Sequence, residues 1–275
     1  MESGAFYVAA HIIVAALYAV LAWVMWRGLQ KGGRSNAQWF LPVLAAAHAG
    51  LLASAVIDSE GMRFGFAHAL SATLLFTVLV IWAEGFLVPI RGLLVMVLPL
   101  AAIAALLPAI FHGAQIAAAN ETLAFRAHIV IAIAAFSLLT IAAMHALLMA
   151  SMDRSLHTAG SSDTTLGRVL SEVPPLLAME RLLFRLIWAG FLLLTATLIS
   201  GVLFSEQLFG RALRFDHKTV FTVASWVVFA GLLVGRHYFG WRGRTALRWT
   251  LVGFVMLLLA YVGSRFVLEV ILHRT

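Results

Sequence analysis

Apolar runs of roughly 20 residues, the length an α-helix needs to cross a hydrocarbon core about 30 Å thick, recur from one end of the sequence to the other with short polar breaks between them. Lipid offers no partner to free backbone N–H and C=O groups, so each spanning segment must satisfy them internally. These runs show no strand-like alternation, and helices are the remaining solution. Eight spans are expected: Ala5 to Trp26, Trp39 to Ile57, Phe64 to Trp82, Leu93 to Phe111, Phe125 to Met149, Leu183 to Leu203, Val220 to His237 and Trp249 to Leu272. The content of 63% hydrophobic and 11% charged residues decides against a soluble domain, whose charged share is usually about 25%. The sequence reads as an all-α integral membrane protein, one polytopic domain over residues 1–275 with about eight transmembrane helices.

Charge then orients the spans. The 19 Lys and Arg residues divide twelve to seven between alternate gaps, and the richer side, from Arg27 through Arg248, is the cytoplasmic one. Both termini are therefore expected outside, in the setting of a bacterial inner membrane. The net charge of +7 flanks apolar spans, so membrane lipid is the expected partner and nucleic acid is not. Met1-Glu2-Ser3-Gly4 carries no positive n-region, and the long, aromatic run after it reads as a span rather than a cleaved signal. With no cysteine, disulfides, thiol nucleophiles and thiolate metal sites are excluded.

Two gaps exceed what connection requires. Ser151 to Arg181 begins with T-A-G-S-S-D-T-T and is expected to continue as a surface helix broken at Pro174-Pro175, with Glu180, Arg181 and Arg185 at the water boundary. Ser205 to Lys218 mixes charges with Leu208, Phe209, Leu213 and Phe215 and is expected to lie flat on the outer surface. Pro99 and Pro108 are expected to kink or end the fourth helix.

The ten histidines sort by depth. His11, His68, His112, His128, His217 and His273 fall near the outer boundary, His48 near mid-span, and His145, His157 and His237 toward the inner side. Several imidazoles from different helices at one level suit an axial-ligand site, since haem iron takes one or two neutral imidazoles from separate elements. The plain alternative is histidine's ease at interfaces. Tyr261, Arg265, Glu269 and His273 are spaced by four and share one face of the last span. Arg265 and Glu269 can neutralise each other, or Arg265 can hold an anion such as a propionate. Glu84, at the inner end of the third span with Arg91 nearby in sequence, reads as a structural pair or as a proton or cation handler. Phosphate loops, nucleophile elbows and H-E-x-x-H pairs are absent, which leaves hydrolase chemistry without a basis.

The run F-D-H-K-T-V-F-T-V-A-S-W-V-V-F, then G-R-H-Y-F-G-W-R-G-R-T-A-L and L-L-A-Y-V-G-S-R-F-V-L-E-V-I-L-H, resembles the cytochrome c assembly family of haem-handling membrane proteins, of the CcsA/CcmC type. Length and span plan look most like its YpjD/HemX-like branch, with the family-like region at about residues 60–273. The resemblance implies haem held non-covalently at the outer face between two histidines, which map onto His128 and His273. It also implies a loop over Phe204 to Thr219, in which Asp216 and Lys218 keep family positions. The tryptophans family members carry in that loop are missing here; Phe204, Phe209 and Phe215 offer less stacking area and no N–H donor.

The reading is a b-type haem-binding membrane protein with His128 and His273 as iron ligands. Arg126, Lys218 and Arg265 are its candidate propionate partners, and Asp216, His68 and His217 stand at or near the site. Its partners would be haem-delivery or cytochrome c maturation proteins, and its role assembly rather than catalysis of a classified reaction. The alternative is a non-haem accessory or transport protein using Glu84, Arg265 and Glu269. A third reading, a two-haem electron carrier, would need His145 and His237 as an inner pair.

Overall fold

The computed structural model describes residues 2–31, 36–58, 61–86, 91–111, 113–117, 122–157, 176–209 and 217–260. Seven helices among them are long and apolar enough to cross a membrane. They fall into two compact units, residues 1–116 with 151–175, and residues 117–150 with 176–275.

The first unit is built from α1 (Glu2–Gln30), α2 (Leu41–Val56, entered through a 3-10 turn at Asn36–Phe40), α3 (Phe66–Glu84) and α4 (Arg91–Ile110). On α1 the buried positions Val14, Ala15, Tyr18, Leu21, Ala22, Met25 and Leu29 recur every three or four residues, so one stripe faces the bundle. Phe6, Ile13, Val20 and Trp23 on the same helix stay exposed, as lipid-facing positions do. On α4, Ala101, Ala104 and Ala105 are buried, and such small side chains let α1 and α4 approach closely. Pro99 and Pro108 both sit inside α4 rather than ending it.

Three short strands, not expected from the sequence, cap this unit: β1 (Ile57–Asp58), β2 (Gly61–Phe64) and β3 (Ala114–Ala117), in the order β1-β2-β3. β1 and β2 pair antiparallel, Ile57 with Met62 and Asp58 with Gly61. Gly113 enters β3 at φ 70°, and a Cβ there would stand 2.8 Å from the backbone nitrogen of Gly65. Only glycine meets both demands without strain.

The second unit contains α5 (Leu123–His157) up to Ala150, α6 (Leu176–Phe209), α7 (His217–Phe239) and α8 (Gly243–Leu258). α7 and α8 pack at Gly253, against which the buried Phe229 ring lies, and the Ser225 hydroxyl donates to the Gly253 carbonyl at 2.8 Å. α6 meets α7 through Trp226, whose indole N–H donates to Thr195 Oγ1 at 2.9 Å while its ring stacks on Phe191 at 5.5 Å. Gly190 lets Leu139 of α5 rest against α6.

Two helices run further than their apolar runs. α5 continues through Ser151 to His157, and α6 begins at Leu176, so Leu176 to Arg181 form the opening of a spanning helix rather than a separate surface helix. Likewise Ser205 to Phe209 prolong α6 instead of lying apart from it. Pro174 and Pro175 lie outside the described residues, as does most of the outer half of the eighth expected span.

Candidate functional site

Thr122 starts α5: its hydroxyl accepts the Phe125 N–H at 3.1 Å and its carbonyl accepts the Arg126 N–H at 3.1 Å. That places His128 on the second turn, half-buried, with Arg126 exposed two positions earlier. His128 Nδ1 and Ser200 Oγ of α6 are hydrogen-bonded at 2.7 Å. The Ser200 hydroxyl is also 2.7 Å from the Ala196 carbonyl and 3.1 Å from that of Thr197. A Cβ on the next residue, Gly201, would stand 3.6 Å from His128 Cε1, so the ring edge lies near this part of α6. His217 and Lys218, both exposed, open α7, and the Lys218 charge acts electrostatically on His128. One end of the second unit thus brings together an imidazole with a fixed neighbour and a lysine.

Of the other expected site residues, His68 belongs to the first unit, fully buried, with its ring 6.4 Å from Phe64. Asp216, Arg265 and His273 lie outside the described residues, as do Tyr261, Glu269 and His112. For the two-haem reading, His145 is fully buried on α5, its Nδ1–H donating to the Ile141 carbonyl at 3.0 Å, whereas His237 is exposed with its ring against Tyr238. Glu84 Oε2 is buried with no hydrogen-bond partner among the described residues, and the Arg91 side chain lies outside them.

The first unit holds a polar centre that no sequence motif announces. His48 is fully buried and bridges helices, with Nε2 2.8 Å from Ser71 Oγ on α3 and Nδ1 3.3 Å from the Tyr18 hydroxyl on α1. His11, also fully buried, donates Nδ1–H to the Ala105 carbonyl of α4 at 2.6 Å. At the opposite end of the second unit from His128, Glu180 binds Arg236 at 2.6 Å and stands 3.9 Å from Arg242, joining the start of α6 to the end of α7. Arg236 reaches the Trp241 carbonyl at 3.3 Å as well. Among the described residues, no three His, Asp or Glu side chains gather as a metal-ion site. His11, His48, His128 and His145 are single imidazoles, each hydrogen-bonded to a neighbouring helix or to its own preceding turn.

Comparison with known proteins adds context. A family model described as cytochrome C assembly protein matches residues 38–272. The chain is similar to the inner membrane protein YpjD of Escherichia coli (strain K12), at 33% identity over 144 residues, 52% of this chain and 52% of that protein. It is also similar to an uncharacterized 28.8 kDa protein of Azospirillum brasilense, at 38% identity over 147 residues, 53% of this chain and 52% of the relative. The cytochrome c biogenesis protein CcsA of Gloeobacter violaceus shares 30% identity over 112 residues, 41% of this chain and 33% of that protein. The chain spans about half the length of the first two relatives and a third of the last.

Proposed function

The chain belongs to the cytochrome C assembly protein family, and from that premise we propose that it handles haem in a bacterial inner membrane, binding it non-covalently near the outer face with His128 and His273 as axial ligands. Its multi-pass helical architecture suits that setting. The observation that carries the reading is His128 itself: a half-buried imidazole on an early turn of α5, tied through Nδ1 to Ser200 and within reach of the Lys218 charge. Coordinating histidines are held in this way, one nitrogen engaged by a neighbouring group and the other offered to the metal. Lys218 and Arg126, with Arg265, would pair with propionates, because basic groups at the depth of the iron match two carboxylates. Bound haem would supply a redox-active iron. The chain's own residues supply orientation, a partly dry seat and charge. Its partners would be haem-delivery or cytochrome c maturation proteins, and the phenylalanines in place of loop tryptophans leave a smaller stacking surface for an exposed porphyrin.

Purified protein from haem-replete cells should show a Soret band of bis-imidazole character, lost in His128→Ala and in His273→Ala. Wild-type protein that carries no haem under those conditions overturns the reading.

A second reading, a non-haem accessory or transport protein, is favoured by Glu84, whose Oε2 is buried without a hydrogen-bond partner among the described residues. Intramembrane carboxylates commonly mark ion or proton routes. It predicts a transport or partner-stability defect in Glu84→Gln and none in His128→Ala, and the reverse pattern rejects it.

A further inference from the structure

The contact between α5 and α6 decides more than where His128 sits. A neutral imidazole carries one proton, on either Nδ1 or Nε2, and only the other nitrogen has a lone pair for a metal. Ser200 has one hydroxyl proton and two candidate destinations, His128 Nδ1 at 2.7 Å and the Ala196 carbonyl at 2.7 Å. If that proton goes to the carbonyl, the serine oxygen accepts Nδ1–H, and each group in the chain donates once: imidazole to hydroxyl, hydroxyl to carbonyl. If it goes to Nδ1, the lone pair of that nitrogen is consumed, Nε2 carries the proton, and the ring has no site left for iron.

Resting on the haem reading of His128, we propose that Ser200 is its positioning residue: the Ser200 oxygen accepts Nδ1–H, fixes the tautomer and ring angle, and leaves Nε2 as the nitrogen presented to iron. Gly201 is not part of the device, since a Cβ there would stand 3.6 Å from the ring's Cε1, an ordinary contact that an alanine could make. The consequence is electronic as well as geometric. An imidazole whose N–H is held by an acceptor is a stronger electron donor through its other nitrogen, which favours ferric iron and lowers the potential. Serine and threonine in helices readily bond the carbonyl four residues back, at a small cost to the helix, so this hydroxyl is anchored on the Ala196 carbonyl. The role falls to α6, which contributes neither of the two proposed ligands.

The test compares Ser200→Thr with Ser200→Val, which match in shape and differ in the hydroxyl, in the full-length protein in detergent or nanodiscs. Haem affinity, midpoint potential and the His128 tautomer by nitrogen-15 NMR, assigned against His128→Ala, are the readouts. Ser200→Val is expected to bind haem about 10- to 100-fold more weakly and at a raised potential, with Ser200→Thr near wild type. The wild-type apoprotein should show His128 as the Nδ1–H tautomer, and Ser200→Val should lose that preference. Equal affinity and potential in the two variants, with haem still lost in His128→Ala, overturns the role of Ser200 and leaves the haem reading standing. Wild type without haem overturns the haem reading, and the tautomer measurement then decides on Ser200: an Nε2–H ring in wild type, or a tautomer unchanged in Ser200→Val, overturns it.

Discussion

Glu180 and Arg236 form an ion pair at 2.6 Å that ties the first turns of α6 to the last turn of α7, across 56 positions of sequence. Both side chains are largely sheltered, at 12% and 25% exposure, and the guanidinium lies 4.5 Å from the Phe184 ring centroid. Glu180→Ala strands a partly buried guanidinium and is expected to cost about 2 kcal/mol, the scale of a charged hydrogen bond. Arg242, 67% exposed and 3.9 Å from the same carboxylate, should matter far less, with Arg242→Ala within about 0.5 kcal/mol of wild type. Thermal unfolding in detergent orders the variants; equal losses for Arg236→Ala and Arg242→Ala contradict the assignment.

His48 gives the first unit an interior that hydrophobic packing alone would not specify. Both of its ring nitrogens are committed, to Ser71 and to Tyr18, so His48→Leu leaves two buried hydroxyls to find new partners. A loss of about 1–3 kcal/mol per stranded group is expected. Removing Ser71 as well should recover part of it, because deleting both partners of a buried bond removes the orphan. The longer bond, to Tyr18 at 3.3 Å, predicts the smallest effect for Tyr18→Phe. Unfolding curves for His48→Leu, Ser71→Ala and the double variant check this, and strict additivity argues against the network.

The spans were legible because a bilayer imposes one length and one backbone solution on them. Their ends were not. Hydropathy marks where lipid stops, whereas backbone hydrogen bonding goes on: Met152 and Asp153 extend α5, and Ala178, Met179 and Glu180 precede the apolar run of α6. The hairpin at Ile57–Phe64 escaped because strands of two and four residues carry almost no periodic signal. At the site, depth placed His128 among six outer histidines and Lys218 among the outer basic residues, and the family resemblance then singled out His128. Ser200 did not stand out: a serine in L-I-S-G-V is an unremarked polar residue until α5 brings His128 to it, a relation between positions 72 apart that no local pattern encodes. His68 belongs to the first unit and His128 to the second.

Gly253 sets the approach of α7 and α8. A Cβ there would meet the Phe229 ring at 2.9 Å, and that fully buried ring would have to shift. Gly253→Ala is expected to destabilise by about 1–3 kcal/mol despite alanine's better helix propensity, because overpacking outweighs it. Pairing it with Phe229→Leu should restore part of the loss. If Gly253→Ala alone raises the unfolding temperature, the close packing of these helices is not limiting.

Lys218 tests whether charge at the start of α7 serves the cofactor. Its ammonium acts on His128 from an exposed position, so a propionate is a partner it could reach without desolvating fully. Exposed charge pairs are individually weak, about 1 kcal/mol or less, which sets the expected effect of Lys218→Gln at no more than about fivefold in haem affinity. Lys218→Glu places a like charge beside the carboxylate and should weaken binding further, while Lys218→Arg should preserve it. Because the Debye length is about 10 Å at 0.1 M salt and about 3 Å at 1 M, the difference between the Glu and Arg variants should shrink at high salt. Packing effects have no such dependence. Haem titrations at the two salt concentrations separate the cases, and a Glu-to-Arg gap that persists unchanged at 1 M rules out the electrostatic role.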